Sequence, residues 1–139
     1  MNQKIIVQSA SETMAIAQKL GSALTAGSIL TLDGELAAGK TTFAKGLALG
    51  LGIKEVIDSP TFAIVKEYNT GNIPLYHMDV YRLDGDSDTR FILEYFDREG
   101  ICIIEWASMI KADLPNKRID ITIKRLEGDK REITIVEMA

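Results

Sequence analysis

The sequence predicts an α/β fold with three layers around a mixed, partly parallel central sheet, which ends in a C-terminal antiparallel hairpin. An apolar β-rich run at residues 29–32 leads through a glycine-bearing turn into a helical segment. Residues 101–104 form a continuous apolar run, as expected for a parallel strand covered on both faces. Residues 119–123 and 133–136 alternate around a turn, which predicts a hairpin with one face in water.

The other elements follow from periodicity and capping. Ser9 and Glu12 have the spacing of a capping box and begin a helix that we expect to end near Gly27, with Ala17, Leu20 and Leu24 on one face. A turn at residues 69–72 separates two strands that we expect to form a hairpin. In chain order we expect strands at residues 4–7, 29–32, 62–68, 75–81, 101–104, 119–123 and 133–136, and further helices at residues 43–49 and 91–96.

Length and composition place the chain among ordinary globular proteins. Its 139 residues are 46% hydrophobic and 26% charged, which fits one domain over residues 1–139. No segment has the pattern of a signal peptide or the length of a membrane span. We therefore expect a cytoplasmic protein with no membrane association.

Charge and cysteine content exclude several kinds of site. The formal net charge of −4 argues against independent binding to nucleic acid, so any contact with RNA is expected through a partner. Cys102 is the single cysteine, which excludes an internal disulfide and a thiolate metal cluster. Within its apolar run it is expected to be a buried structural thiol.

Residues 34–41 match the phosphate-loop pattern G-x-x-x-x-G-K-[ST] at Gly34, Gly39, Lys40 and Thr41. Backbone N–H groups of such a loop surround phosphates, and the following helix directs its positive end at them. Lys40 can reach the β- and γ-phosphates, and the Thr41 hydroxyl can bind a bridging Mg²⁺. The alternative is a chance glycine turn between a strand and a helix. With both flanks in place, the sequence favours a P-loop NTPase-like fold that binds a nucleoside triphosphate.

Glu105 is the best candidate for a second carboxylate at this site. It follows the apolar strand 101–104, and ligands in open α/β sheets gather at the carboxyl ends of strands. A Walker-B acid, which helps to hold the metal, belongs at this position. The alternative is a strand-end carboxylate that is merely solvated. Trp106, the only tryptophan, could pack in the core or lie beside the nucleotide.

Asp79 is a further candidate, because His77, Asp79 and Tyr81 share one face of an alternating strand. Asp79 could orient a water molecule or hold a metal-bound water, and Arg82 could supply positive charge. A lone histidine on a strand is more often a hydrogen-bonded structural residue than a catalyst. The alternative for the whole group is a polar strand face that meets water.

Ser59, Pro60, Thr61 and Phe62 form a third feature. Pro60 disfavours helical geometry at Ser59 and gives an extended entry to the next strand. The segment lies where nucleotide-dependent switch segments occur, with Thr61 as a possible γ-phosphate sensor. It could equally be a loop before a strand.

Together these motifs resemble the TsaE (YjeE) family of bacterial ATPases. The resemblance rests on residues 34–42, 59–62, 77–83 and 104–106 and covers most of the chain. It implies a small ATPase that hydrolyses ATP slowly in the synthesis of threonylcarbamoyladenosine (t6A), at the adenosine 3′ of the anticodon in tRNAs that read codons beginning with A. It implies two protein partners, a TsaD-type threonylcarbamoyltransferase and its TsaB-type paralogue, so tRNA would be reached through the complex.

The resemblance also implies roles for individual residues. Thr41 and Glu105 would hold Mg²⁺, Asp79 would assist hydrolysis, and residues 59–62 would form a switch-like loop. The residues expected to bind ATP are Ser11, Thr13, Ala37, Ala38, Gly39, Lys40, Thr41, Thr42 and Arg131, and the catalytic residues are Asp79, Glu105 and Lys40. At Ala37 the family usually has glycine, and after Trp106 its usual Glu-Arg pair is replaced by Ser108 and Met109.

Two other functions remain open from the residues alone. A small-molecule kinase would share the phosphate loop, but Arg82, Arg90 and Arg98 are scattered rather than gathered in a lid. A nucleotide-gated binding module would bind ATP with only incidental hydrolysis. Formation of a phosphorylated metabolite would identify the kinase, and multiple turnovers that depend on Glu105 would identify the ATPase.

Overall fold

A single mixed sheet contains all seven strands found in the part of the chain that the computed structural model describes, which is residues 2–35, 38–58, 65–81, 83 and 90–138. Ala37, Arg82 and residues 59–62, to which the sequence analysis assigned roles, lie outside these ranges. No helix within them is long and apolar enough to cross a membrane. The elements in chain order are β1 (Asn2–Val7), α1 (Ala10–Ala23), β2 (Ile29–Gly34), α2 (Lys40–Gly50), β3 (Val65–Tyr68), β4 (Leu75–Asp79), α3 (Arg90–Phe96), β5 (Ile101–Glu105), a 3₁₀ helix (Ala107–Asp113), β6 (Arg118–Arg125) and β7 (Arg131–Met138).

The strand order is β1-β7-β6-β2-β5-β4-β3, with a parallel centre and antiparallel edges. Strand β2 pairs in parallel with β5 and β6, and β4 pairs in parallel with β5. The edge strands pair antiparallel, β3 with β4 and β1 with β7, and β6 with β7 forms the C-terminal hairpin. The predicted mixed sheet and both predicted hairpins are confirmed.

Helices cover the central strands on both faces, which confirms the three layers. On one face α1 and α2 enclose a core that includes Leu30, Phe43 and Ile103. On the other face α3 and the 3₁₀ helix pack over a second core that includes Ile92 and Ile104. Strand β5 is buried along its whole length, which explains why its sequence is continuously apolar before Glu105.

Helix α1 begins at the predicted cap but ends earlier than predicted. The Ser9 hydroxyl accepts a hydrogen bond from the Glu12 N–H, while the Glu12 carboxylate accepts from the Gln8 N–H rather than from Ser9. The helix ends at Ala23, not near Gly27, because Leu24 is already extended and its N–H bonds back to the Gly21 carbonyl.

Two further local differences affect the site. Strand β4 ends at Asp79 rather than at Tyr81, since the Asp79 carboxylate accepts the Tyr81 N–H at 3.0 Å in place of a ladder bond. A 3₁₀ helix, which the sequence did not predict, follows β5 directly.

Candidate functional site

The phosphate loop lies between the end of β2 and the start of α2. Gly39 precedes the helix with φ = 107°, a left-handed conformation that glycine adopts without steric cost. As a glycine, this N-cap residue has no side chain to cap the helix, and the first backbone bond runs from the Phe43 N–H to the Gly39 carbonyl. The amide groups of the first turn and the positive end of the helix are therefore arranged for an anion.

Lys40 lies at the first position of α2 with its ammonium turned back to the loop. Nζ donates to the Gly34 carbonyl at 2.6 Å and to the Glu35 carbonyl at 3.2 Å. The same ammonium lies 4.1 Å from the centre of the Trp106 ring, a cation–π distance. Only 7% of Lys40 is exposed, so its charge is held beside the loop rather than in open solvent.

Two carboxylates face this ammonium from adjacent parallel strands. Asp79 ends β4, Glu105 ends β5, and the two are register partners. Burial lowers the pKa of Lys40 from its usual 10.5, and the negative charges of Glu105 and Asp79 act in the opposite direction. Glu105 is only 3% exposed, so the alternative of a solvated strand-end carboxylate is wrong.

His77 is buried beneath Glu105. Its Nε2 lies 2.5 Å from Glu105 Oε2, and its side chain is fully buried. The alternative of a polar strand face that meets water is therefore wrong for His77, although His77 and Asp79 do share a face. The side chain of Tyr81 lies beyond the strand, 55% exposed, with its ring 4.7 Å from that of Trp106.

A cavity of about 250 Å³ joins the loop to the carboxylates. Because its polar lining comes from a helix start and two strand ends, it brings together groups that are far apart in sequence. The cavity is lined by Gly39, Lys40, Thr41, Thr42, Asp79, Glu105 and Trp106.

A second cavity of about 290 Å³ lies on the other side of the start of α2 and shares Gly39 and Thr42 with the first. Arg131 enters its wall from β7 and donates from Nε to the Ala38 carbonyl at 3.1 Å. The hairpin is thus tied to the phosphate loop. The cavity is lined by Ala10, Thr13, Ala38, Gly39, Thr42, Asp129 and Arg131.

The two cavities bring together most of the residues that the sequence predicted for the site. Ser11 is an exception, because it is exposed and its neighbour Ala10 lines the second cavity. Sequence reasoning missed Ala10 and Asp129, and neither lies in a motif that could have marked it.

Trp106 was left undecided by the sequence, and the structure places it in the wall of the first cavity. Its backbone has φ = 60° and ψ = 36°, the left-handed region that non-glycine residues rarely adopt. This turn redirects the chain from β5 into the 3₁₀ helix and sets the indole against the Lys40 ammonium.

Asp33 is a third residue that the sequence analysis missed, after Ala10 and Asp129, although it directly precedes the Gly34 of the motif. Its carboxylate accepts the Ser108 N–H at 3.4 Å and thereby links the loop to the 3₁₀ helix. Burial raises the pKa of Asp33 from its usual 3.8, and the Ser108 hydrogen bond opposes this shift.

The donors in the first cavity suit a magnesium ion held with a phosphate ligand. Thr41, Asp79 and Glu105 offer hydroxyl and carboxylate oxygens, the ligand type that Mg²⁺ prefers. No group of three or more His, Cys, Asp or Glu side chains within the described ranges could hold a metal by itself. Mg²⁺ sites of this type usually combine one or two protein ligands with substrate phosphates and water.

Comparisons with known proteins agree with one another. Residues 7–133 match the family model described as "Threonylcarbamoyl adenosine biosynthesis protein TsaE". The chain is 53% identical over 123 residues to the "tRNA threonylcarbamoyladenosine biosynthesis protein TsaE" of Bacillus subtilis, covering 88% of this chain and 78% of that one. It is 43% identical over 134 residues to the protein of the same name from Treponema pallidum, covering 95% and 98%.

A solved structure shows the same fold. The crystal structure of Bacillus subtilis YdiB superposes with a TM-score of 0.88 at 45% identity, covering all of this chain and 87% of that one. With a family model that matches residues 7–133 and relatives 43–53% identical over 88–95% of this chain, the chain belongs to the TsaE family.

Proposed function

We propose that residues 1–139 act as a single P-loop ATPase domain that binds Mg²⁺-ATP and hydrolyses it slowly in the t6A modification of tRNA. The observation that carries this proposal is the first cavity, where a phosphate loop, its lysine and two strand-end carboxylates meet. The names of the relatives, which place them in tRNA threonylcarbamoyladenosine biosynthesis, support the pathway.

Binding uses groups that the fold already holds in place. The triphosphate takes the N–H groups at the start of α2, and Lys40 exchanges the Gly34 and Glu35 carbonyls for phosphate oxygens. The remainder of the nucleotide extends past Gly39 and Thr42 into the second cavity, beside Thr13 and Arg131.

Hydrolysis needs charge stabilisation and an oriented water. Thr41 and Glu105 would hold Mg²⁺, which neutralises charge that develops on the phosphates. Asp79, at the end of the neighbouring strand, accepts a hydrogen bond from the attacking water and orients it. The Asp79 carboxylate also accepts a hydrogen bond from the Tyr81 N–H, which holds it against the turn that follows β4.

The partners proposed are a TsaD-type threonylcarbamoyltransferase and a TsaB-type paralogue, with tRNA contacted through them. The net charge of −4 supports this indirect route, because a phosphate backbone attracts an excess of Lys and Arg. Slow ATP hydrolysis is suited to a subunit that resets a complex once per cycle. It is less suited to an enzyme that must convert a metabolite rapidly.

The test compares the wild type, Lys40→Ala and Glu105→Ala for ATP affinity, ATP hydrolysis and support of tRNA modification by the two partners. Lys40→Ala is expected to lose ATP binding. Glu105→Ala is expected to retain binding to ATP and partners but to fail in repeated cycles of modification.

Two results would overturn the proposal. One is full modification over many cycles by the partners without this chain. The other is a phosphorylated metabolite formed in equal amount to ADP, which would identify a kinase instead.

A further inference from the structure

We infer that His77 is a positioning residue that holds the Glu105 carboxylate in its working orientation. The inference deepens the proposed function and rests on it. Its basis is the buried contact between His77 Nε2 and Glu105 Oε2, together with the other ring nitrogen of His77, which has no hydrogen-bond partner within the described ranges.

The pairing follows from the parallel register of β4 and β5. His77 lies opposite Ile103, so its side chain reaches diagonally to Glu105, two residues further along the same face. Nε2 meets Oε2 at 2.5 Å. Since an ionised carboxylate can only accept, we expect the imidazole tautomer that carries its proton on Nε2.

The other ring nitrogen indicates why a histidine stands here. Nδ1 is buried and has no hydrogen-bond partner within the described ranges. A buried polar atom without a partner lowers stability, a cost that an apolar side chain of similar shape would avoid. The single hydrogen bond to Glu105 is therefore the contact that accounts for an imidazole at this position.

The consequence for the cavity is an ordered carboxylate. Oε2 is engaged by His77 below, which leaves Oε1 as the oxygen available to the cavity that Glu105 lines. A free glutamate loses considerable rotamer entropy when it is fixed, and here the fold has fixed it beforehand. Groups that orient metal-binding side chains in this way commonly change metal affinity or activity by about 10–100-fold when they are removed.

The first experiment tests the pair without any ligand. His77 is the only histidine, so histidine-selective ¹⁵N labelling gives one imidazole spectrum with no assignment step. The wild type is expected to show the tautomer protonated at Nε2, and Glu105→Ala is expected to lose this clear preference. A wild-type imidazole protonated at Nδ1 alone would overturn the inference.

The second experiment uses two matched amides. In His77→Gln the amide nitrogen can reach the former Nε2 position, whereas in His77→Asn it can reach only the Nδ1 position. His77→Asn is expected to lower kcat by about tenfold or more and to weaken Mg²⁺ dependence, with little change in KM for ATP. His77→Gln is expected to keep most of the wild-type kcat.

Controls separate this inference from the proposed function and from folding. In the Glu105→Ala background, His77→Asn is expected to cause no further loss, since its effect passes through that carboxylate. Equal kcat for folded wild type, His77→Asn and His77→Gln would refute the positioning role. If the wild type hydrolyses no ATP, the proposed function fails, and the tautomer experiment still decides whether His77 holds Glu105.

Discussion

The Lys40 ammonium lies 4.1 Å from the centre of the Trp106 ring while it donates to the Gly34 carbonyl. These contacts occupy the ammonium when no anion is present, and a bound phosphate would compete with them. The contact can also be followed by tryptophan fluorescence, because Trp106 is the only indole in the protein.

The first prediction concerns Trp106 fluorescence. Adding ATP is expected to produce a saturable change in emission, because Lys40 leaves the indole face to contact phosphate. Lys40→Met keeps the length of the side chain without its charge and is the matched control, in which the change is expected to be lost. Calorimetric ATP binding with no spectral change in the wild type would contradict the prediction.

The second prediction concerns the contact between the hairpin and the phosphate loop. Arg131→Ala removes the hydrogen bond to the Ala38 carbonyl, so ATP affinity is expected to fall by about 3- to 10-fold, the equivalent of one hydrogen bond worth about 1 kcal/mol. Arg125→Ala is the control, because Arg125 faces Arg131 across the hairpin and carries the same charge but lines neither cavity. Equal losses in both variants would indicate general electrostatics instead.

The third prediction concerns the close approach of α1 and α2. A Cβ at Gly46 would lie 2.5 Å from the Met14 carbonyl oxygen and 2.8 Å from the Ala17 Cβ. Gly46→Ala is therefore expected to lower the free energy of unfolding by about 1–3 kcal/mol, although alanine favours helix by about 1 kcal/mol. Chemical denaturation measures this free energy, and Lys45→Ala, at an exposed position of the same helix, is the control. A Gly46→Ala variant more stable than the wild type would contradict the close approach of α1 and α2.

The fourth prediction concerns pH and Cys102. Burial raises the pKa of the Cys102 thiol from 9.0 to about 12, so from pH 9 to about 12 the unfolded chain releases a proton that the folded chain keeps. The thiol's contribution to the free energy of unfolding therefore falls as pH rises through this window, by up to about 1.4 kcal/mol per pH unit.

Cys102→Ala isolates this contribution, since the other titrating groups are common to both proteins. The free energy of unfolding of the wild type minus that of the variant, measured by urea denaturation, is expected to fall as pH rises above 9. The wild-type thiol is also expected to react with thiol reagents only at the rate of unfolding. Rapid native-state labelling would show that the thiol is accessible.

The sequence predicted the layered mixed sheet because β5 and the C-terminal hairpin carry unambiguous periodicities. It assigned Glu105 to the site by the rule that ligand-binding side chains gather at the carboxyl ends of parallel strands, and Asp79 by its place on a polar strand face. That the two end adjacent strands as register partners is seen only in the structure. It could not predict that His77 would be buried, because alternation places a side chain on a face but does not say what covers that face. The left-handed turn at Trp106 was also beyond prediction, since it depends on where β5 meets the 3₁₀ helix.

The left-handed backbone at Trp106 has a consequence for engineering this protein. A glycine there would relax the turn by about 1 kcal/mol, so a choice of substitutions by backbone strain alone would select this position early. The same change would remove the indole from Lys40 and from Tyr81. A variant chosen by backbone strain alone would thus lose the aromatic wall beside the phosphate loop and the packing of the indole on the second core, and screening at this position should score nucleotide response together with melting temperature.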